Sequence, residues 1–281
     1  METPNKKKNM KKRVKAAVAA AVIAGTAAFG ISNFRDSKTI APKIEPINEE
    51  VKSDLWQLFY VKNSYRRNDS EFYSVQNTSS GPILLATKNG NLSAYNLGNG
   101  TYAGKQAVIT ADNKRVYVVF DGDASLFIIN LSDGTVSNTV LPIIVKNPAI
   151  GVHNEYLYLL SESSNNLYVI SSSGYIDEID ITRIVRREGV DTIVNPSIAS
   201  SEMGAFFIAS GFKHAHAIVW NGNLGNSQYF WMDVSKVFNH IGTLEVPHIA
   251  IKNGEMCITP SQNKPIACLR LKDGQITRVL K

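Results

Sequence analysis

The chain has 281 residues, with 30 Lys and Arg against 24 Asp and Glu, which gives a formal charge of +6. Residues 1–15 hold seven of the basic side chains and one acid, so the rest of the chain carries no net charge. A neutral body argues against a protein that binds nucleic acid by neutralising many phosphates. The 44% content of hydrophobic residues argues against a largely disordered chain.

An uncharged apolar segment follows the basic run, at residues 16–31. It is shorter than the roughly 20 residues of a membrane-spanning helix, and a basic run before a short apolar stretch is typical of a secretory signal. Two interpretations of residues 1–31 stay open: a signal peptide cleaved after Ala28 or Gly30, or an uncleaved anchor in the inner membrane. Both predict export to a periplasmic or other extracytoplasmic location, in the second case anchored by residues 16–31.

Residues 32–53 are polar and include Pro42 and Pro46, which is typical of a flexible linker. The folded domain is predicted to cover residues 54–281. Its first strand-like run, residues 55–61, is expected to pair with the last repeat, close the ring of repeats and remove an exposed sheet edge.

The rest of the chain repeats one unit. Each unit has an apolar run, a polar turn, a second apolar run and, in most units, a Gly turn, and the first runs begin at residues 82, 116, 157, 205 and 256. Short β-branched and aromatic runs between Gly, Asn and Asp turns predict antiparallel hairpins. A repeat of about 40–50 residues is typical of propeller blades. Because five units share one internal order, the sequence predicts an all-β fold, a β-propeller of about five blades, rather than a β-sandwich.

A further short strand precedes each of these runs and is predicted to be the innermost strand of its blade. These strands are residues 72–75, 107–110, 149–152, 197–199 and 248–251. Three of them closely follow a proline, a residue that suits the start of a strand.

One unit carries a family resemblance. Within residues 116–142, Val-Tyr-Val-Val-Phe is followed by Leu-Phe-Ile-Ile-Asn-Leu-Ser-Asp-Gly-Thr-Val. This resembles the YVTN-type repeat of bacterial β-propellers, with its Tyr-Val strand, Val-x-Val-Ile-Asp strand and Thr-x-x-Val exit. The looser pattern extends from about residue 72 to residue 281. The resemblance implies a propeller fold and a binding role, and it carries over no catalytic residue.

Two long connections between blades predict short helices of eight residues. Residues 180–189 and 233–242 each begin with Asp, a favoured N-cap, and end with Gly, which closes helices. Apolar side chains at helical spacing indicate that each helix packs on the blade ends. A second hypothesis is that the outward side chains, with an adjacent tryptophan, bind a partner protein. The residues of this hypothesis are Arg183, Arg186, Arg187, Lys236, His240 and Trp231.

The two cysteines of the chain are Cys257 and Cys268. If their hairpin turns at residues 262–263, the cysteines oppose each other on neighbouring strands, within the Cα distance that a disulfide needs. An exported protein meets an oxidising compartment, so we predict a disulfide, with two free buried thiols as the alternative.

His214 and His216 share one face of a strand or its turn, which raises the question of a zinc or copper pair. No carboxylate lies close to them in sequence. We therefore interpret them as exposed turn histidines and predict no metal site.

The sequence contains no nucleophile elbow, phosphate loop or dinucleotide-binding motif. A propeller glycosidase needs carboxylates that converge on the central channel, and the predicted inner strands contain none. The nearest acids lie just outside these strands: Glu71, Asp112, Glu155 and Glu202. We therefore predict no enzymatic activity and no cofactor.

The sequence predicts a scaffold that binds other proteins of a bacterial envelope assembly, such as a secretion or conjugation machine or outer-membrane biogenesis. Propeller faces present many loops on a rigid ring, which favours protein recognition. The alternative is a secreted carbohydrate-active or small-ligand enzyme that uses the central channel.

Overall fold

The computed structural model describes residues 63–68, 70–98, 102, 104–162, 164–222, 226–261 and 264–280. In these residues the fold is nearly all β, with five antiparallel sheets of four strands each. The predicted signal or anchor, the linker and the strand at residues 55–61 lie outside the described residues. Within the described ranges, no helix is long and apolar enough to cross a membrane.

Each sheet is a meander in which strands pair in chain order. The first sheet contains β1 (Ser64–Asn68), β2 (Glu71–Thr78), β3 (Gly81–Lys88) and β4 (Asn91–Asn96). The second sheet contains β5 (Ala107–Ala111), β6 (Arg115–Phe120), β7 (Asp123–Asn130) and β8 (Val136–Val145). The third sheet contains β9 (Ala149–His153), β10 (Tyr156–Leu160), β11 (Asn166–Ile170) and β12 (Ile176–Asp180).

The last two sheets are joined to the chain through short helices. The fourth sheet contains β13 (Ser197–Ser201), β14 (Gly204–Ile208), β15 (His214–Val219) and β16 (Gln228–Asp233). The fifth sheet contains β17 (His248–Lys252), β18 (Glu255–Thr259), β19 (Ile266–Arg270) and β20 (Ile276–Leu280). Helix α1 (Thr182–Arg187) precedes the fourth sheet, and a 3₁₀ turn (Ser235–Val237) that runs into α2 (Phe238–Ile241) precedes the fifth.

The first strands of successive sheets lie beside one another, so β1, β5, β9, β13 and β17 are the inner strands and each sheet is a blade. This arrangement confirms the predicted fold class, an all-β propeller of about five blades with two short helices inserted between blades.

Alternate side chains of the middle strands pack against the blades on either side. In β6, Val116, Val118 and Phe120 join a buried cluster with the first blade. Tyr117 and Val119 face the opposite way and join a cluster with the third blade. Because both faces of β6 are buried, its sequence is a continuous apolar run instead of an alternating one.

The first blade is displaced by one strand from its predicted position. Residues 72–75, predicted to be innermost, lie in β2, and the run that begins at Pro82 lies in the third strand. The true inner strand has the sequence Ser-Tyr-Arg-Arg-Asn and lacks an apolar run. Its Arg67 pairs with Glu71 of β2 at 2.7 Å. The two arginines and the missing apolar run explain why the sequence pattern does not reveal this strand. In the other four blades the predicted inner strands are correct.

Asparagines before two inner strands connect neighbouring blades. The Asn147 backbone N–H donates to Asp121 Oδ1 at 2.7 Å, and the Asn147 side-chain amide donates to Asn195 Oδ1 at 2.9 Å. The Asn195 amide in turn donates to the backbone carbonyl of Glu245 at 3.2 Å. Both asparagines have positive φ, 43° and 48°, and each precedes a proline. These bonds link the second to fifth blades through loops at one end of the inner strands.

Gly151 lies where two inner strands, β9 and β13, approach closely. A Cβ added at Gly151 lies 2.6 Å from Ile198 Cγ2 and 2.8 Å from Ser200 Oγ. We therefore expect Gly151→Ala to lower the free energy of unfolding by about 1–3 kcal/mol, measured by urea denaturation. Ile198→Ala removes the clashing methyl group, so the double variant should cost less than the sum of the two single variants. Strict additivity of the two changes would contradict this explanation.

Candidate functional site

Helix α1 lies between the predicted Asp and Gly signals, one residue short of the predicted helix at each end. Asp180 Oδ1 accepts the Thr182 N–H at 2.8 Å, and Gly189 takes a φ of 81° after the last turn. Ile181 and Val185 are buried against the blades, as the apolar stripe predicts. The helix has six residues instead of the predicted eight, because Ile181 is its N-cap and Glu188 its C-cap.

The second predicted helix is divided. Asp233 Oδ1 accepts the Ser235 N–H at 2.8 Å and Gly242 has a φ of 85°, so both end signals are present. Between them, the first turn is 3₁₀ and only the last four residues are α-helical. Val234 and Val237 are both fully buried. A 3₁₀ turn aligns residues three apart, which explains why this segment tightens at its start.

At the end of α1, a cation lies over an exposed aromatic ring. The Arg187 guanidinium lies 5.3 Å from the ring centroid of Trp231 on β16, within the range of a cation–π contact. Trp231 is 43% exposed, and its other neighbour is His214, whose ring meets it edge-on at 4.7 Å between centroids. Two of the six residues predicted to bind a partner are therefore in direct contact.

Directly after Arg187, the carboxylate of Glu188 is buried, with 3% of the residue exposed. Its Oε2 accepts the backbone N–H groups of Lys213 at 2.6 Å and His214 at 3.2 Å. Its Oε1 lies 2.7 Å from His214 Nδ1 and 3.0 Å from His216 Nε2. Burial by itself raises the pKa of Glu188, but the hydrogen bonds from His216, Lys213 and His214 outweigh it and lower the pKa to about 2. The carboxylate is therefore ionised at neutral pH and fixes both imidazoles.

The imidazole of His216 joins this carboxylate to a tyrosine. Its Nδ1 lies 2.6 Å from Tyr229 Oη, and the two rings stack with centroids 5.9 Å apart. Burial lowers the pKa of His216, so the ring is neutral at pH 7 and carries one proton. Since a carboxylate only accepts, that proton lies on Nε2, and Nδ1 accepts the hydroxyl proton of Tyr229. Glu188, His216 and Tyr229 thus form one continuous hydrogen-bonded chain.

The interpretation of the two histidines as exposed turn residues is wrong. Both lie on β15, His214 half-buried and His216 with 1% of the residue exposed. Sequence reasoning missed their acid because Glu188 is 26 and 28 residues away. One local signal existed: an acid at the C-terminal end of a helix opposes the helix dipole, so its presence before Gly189 needs another reason.

The other predicted partner-binding residues lie on the helical segments before and after the fourth blade: Arg183 and Arg186 on α1, Lys236 on the 3₁₀ turn and His240 on α2. Lys213 connects the two helices, since its N–H donates to Glu188 and its carbonyl accepts the Val234 N–H at 2.9 Å. We call the exposed residues of this region the basic-aromatic surface. It consists of Arg183, Arg186, Arg187, Lys213, Tyr229, Trp231 and Lys236. His240 of α2 is half-buried, and its role in partner binding remains a prediction, as does that of the whole surface.

In the last blade, Cys257 of β18 lies opposite Cys268 of β19, and their sulfur atoms are bonded. In the described part of the chain, three ligand-type side chains lie within 4.8 Å of one another only at Glu255, Cys257 and Cys268. The bond engages both sulfurs, and Glu255 pairs with Arg278 at 2.8 Å. This group therefore offers a crosslink, not a set of thiolate ligands.

The disulfide gives a direct stability prediction. Its sequence separation is 11 residues, and closing so short a loop is expected to contribute about 2–3 kcal/mol to the free energy of unfolding. Cys257→Ala with Cys268→Ala should lose this amount in urea denaturation. Iodoacetamide should alkylate the unfolded wild-type chain only after reduction; two thiols that react without reductant would contradict the bond.

The four acids near the predicted channel are engaged elsewhere or exposed. Glu71 pairs with Arg67, and Glu155 pairs with Lys114. Asp112 accepts the backbone N–H groups of Lys114 and Arg115 at the start of β6, and Glu202 is exposed. None of the five described inner strands contains Asp or Glu. The described inner strands therefore supply no pair of carboxylates for glycoside hydrolysis.

No family model and no curated protein sequence matches the chain. Solved structures do resemble its fold. A streptogramin B lyase superposes with a TM-score of 0.54 and 18% identity over 75% of this chain and 65% of that chain. A catalytically inactive virginiamycin B lyase from Staphylococcus aureus with quinupristin superposes with a TM-score of 0.50 and 18% identity over 74% of this chain and 65% of that chain. PorZ, a surface component of the type-IX secretion system of Porphyromonas gingivalis, superposes with a TM-score of 0.45 and 15% identity over 77% of this chain and 26% of that chain.

These comparisons show the fold alone. The neighbours are β-propeller-like proteins, so the predicted propeller resemblance holds, while the finer YVTN-type assignment stays a prediction. This chain spans about 65% of the length of the two lyases. Both lyases are only 18% identical to this chain, so their likeness does not decide whether it is an enzyme.

Proposed function

We propose that this chain is an exported, non-catalytic β-propeller that binds another protein of a bacterial envelope assembly through its basic-aromatic surface. The observation that carries the proposal is the stack of Arg187 on exposed Trp231, held in place by the buried Glu188 network. Export is supported by the basic and apolar segments at residues 1–31, which also leave attachment to the inner membrane open.

The residue types at this surface are those that dominate protein interfaces. Trp, Tyr and Arg supply most binding hot spots because they bury a large area and retain a polar contact. Trp231 and Tyr229 are exposed on β16, yet His214 and His216 fix their positions. Side chains held in place before binding lose less conformational entropy when the partner arrives.

The charge of the surface indicates the partner. It carries five basic side chains, and three acids of the same segments, Asp180, Glu188 and Asp233, accept backbone N–H groups. Five positive charges against three negative ones leave the region with a positive excess. Electrostatic complementarity therefore favours an acidic protein segment that also offers an apolar side chain to Trp231. The alternative function, a secreted enzyme that uses the central channel, has less support, because the described inner strands contain no acid.

Crosslinking in the native host tests the proposal. A photo-reactive amino acid in place of Trp231 should yield one discrete adduct with an envelope protein. The same amino acid in place of Tyr175, which is 67% exposed on the third blade, is the control and should not yield it.

Charge reversal provides the second arm of this test. Arg186→Glu with Arg187→Glu should abolish both the adduct and co-purification of the partner. The matched control is Lys114→Glu with Lys146→Glu, which reverses two exposed charges on other blades. Recovery of the partner that is unchanged by reversal at the arginines would overturn the proposal.

A further inference from the structure

Glu188, His216 and Tyr229 place a carboxylate, an imidazole and a hydroxyl in one hydrogen-bonded chain, in that order. A buried carboxylate holds one nitrogen of a neutral imidazole, and the other nitrogen accepts a hydroxyl proton. Hydroxyl nucleophiles are activated by this order of groups, in which the acid fixes the tautomer and the imidazole takes the proton. Here the hydroxyl belongs to Tyr229, which is 44% exposed and lies on the outer strand of its blade.

We propose that Tyr229 is an activated phenol that accepts a phosphoryl-type group from an activated phosphorus ester or fluoride, with His216 as its general base. Glu188 is the positioning residue, which acts on the phenol only through His216. This inference goes beyond the binding function and does not depend on it, since it concerns a single covalent transfer to the protein.

The transfer balances with the groups present. Tyr229 Oη attacks phosphorus, the new O–P bond forms, and the hydroxyl proton moves to His216 Nδ1. The leaving group departs with the electron pair of its bond to phosphorus, and the imidazolium then loses its Nδ1 proton to water. While the imidazolium exists, Glu188 stabilises it through the Nε2 contact of 3.0 Å. The phenol oxygen can accept as well as donate a hydrogen bond, so the 2.6 Å contact is retained when the proton moves.

The phenol needs His216 to remove its proton. Burial raises the pKa of Tyr229 to about 12, the positive charge of Arg187 opposes this increase, and the negative charge of Glu188 adds to it. Arginine stabilises negative charge on phosphoryl oxygens at many phosphate sites, and Arg187, whose charge acts on this phenol, is the residue here that favours a phosphorus electrophile. The basic-aromatic surface also contains Arg186, Lys213 and Lys236.

A fluorophosphonate provides the experimental probe. The P–F bond breaks, fluoride leaves, and peptide mass spectrometry locates the phosphonyl group. We expect the full chain to be labelled at Tyr229, and Tyr229→Phe to lose that label. His216→Gln should slow labelling roughly 100-fold, the contribution typical of a general base. Tyr175, exposed on the third blade, is the reference for an ordinary phenol in the same chain.

The pH profile of the wild-type chain tests the base without any variant. His216 faces Glu188 from the end of α1, Tyr229 from β16, and feels the charges of His214 and Arg187. If His216 is the base, the labelling rate should reach its plateau by about pH 7, because burial holds the pKa of this imidazole below 6.5. A free phenol instead reacts faster as pH rises towards its own pKa, about 10.

Three results would overturn the proposal. The first is labelling of Tyr229 no faster than that of Tyr175. The second is a rate at Tyr229 that continues to rise from pH 7 to pH 9. The third is an unchanged rate in a folded His216→Gln chain, with folding verified by circular dichroism.

Discussion

Replacing Glu188 by alanine is expected to lower the free energy of unfolding by about 3–5 kcal/mol, because each buried donor left without its acceptor costs about 1–3 kcal/mol. The carboxylate accepts hydrogen bonds from two backbone N–H groups and two imidazoles. Alanine leaves all four donors buried or half-buried without their acceptor. Urea denaturation followed by circular dichroism measures the loss.

Two further variants separate the charge of Glu188 from its shape. Glu188→Gln keeps the size of the side chain and one acceptor oxygen, so its free energy of unfolding should lie between those of the wild type and the alanine variant. Glu202→Ala removes an exposed acid from the turn between β13 and β14 and should change stability by less than about 0.5 kcal/mol. A cost below about 1 kcal/mol for Glu188→Ala would show that the network does not hold this end of the fourth blade.

Acid is expected to destabilise the fold in the window from pH 6.5 to about pH 4. Burial lowers the pKa of His248, on the inner strand β17, from 6.5 to about 4. In this window the unfolded chain binds a proton at His248 and the folded chain does not. The contribution of His248 to the free energy of unfolding is therefore complete above pH 6.5 and is lost as the pH is lowered. This single group contributes a loss of roughly 3 kcal/mol by pH 4.

Other groups act in the same direction. Burial also lowers the pKa values of His153 and His216, and the lowered pKa of Glu188 adds a further loss below about pH 4.5. Denaturant unfolding at several pH values from 7.5 to 4 measures the slope. His248→Gln should reduce the dependence of the free energy of unfolding on pH. His153→Gln should remove only the part of this dependence that comes from His153. Equal stability of the wild type at pH 7 and pH 4.5 would contradict the expected effect.

The sequence predicted those parts of the fold that depend on local patterns. Four blades were located because strands such as β6 are buried on both faces and read as uninterrupted apolar runs. The first blade was misplaced because β1, Ser-Tyr-Arg-Arg-Asn, has no apolar run, so the apolar pattern begins only at the next strand, β2. The Asp and Gly signals located both helices, whereas their lengths depend on how the apolar side chains meet the blades.

The site shows the same division between local and tertiary information. Arg187 and Trp231 were proposed from a helix pattern and a neighbouring aromatic run, and their contact arises from two elements 44 positions apart. The network behind them requires Glu188 to reach two histidines on another strand. A single sequence reveals the residue types of such a network, but the fold decides which of them meet.

The proposed reactivity of Tyr229 and its fixed position in the basic-aromatic surface both depend on one arrangement, a neutral His216 with its proton on Nε2. Nitrogen NMR of the histidine side chains measures this directly, with His216→Gln used to assign the signals. The structure predicts at pH 7 a protonated Nε2 and an unprotonated Nδ1 that accepts the Tyr229 hydroxyl proton. A proton on Nδ1 with a bare Nε2 would contradict the Glu188 contact and the chain of hydrogen bonds built on it.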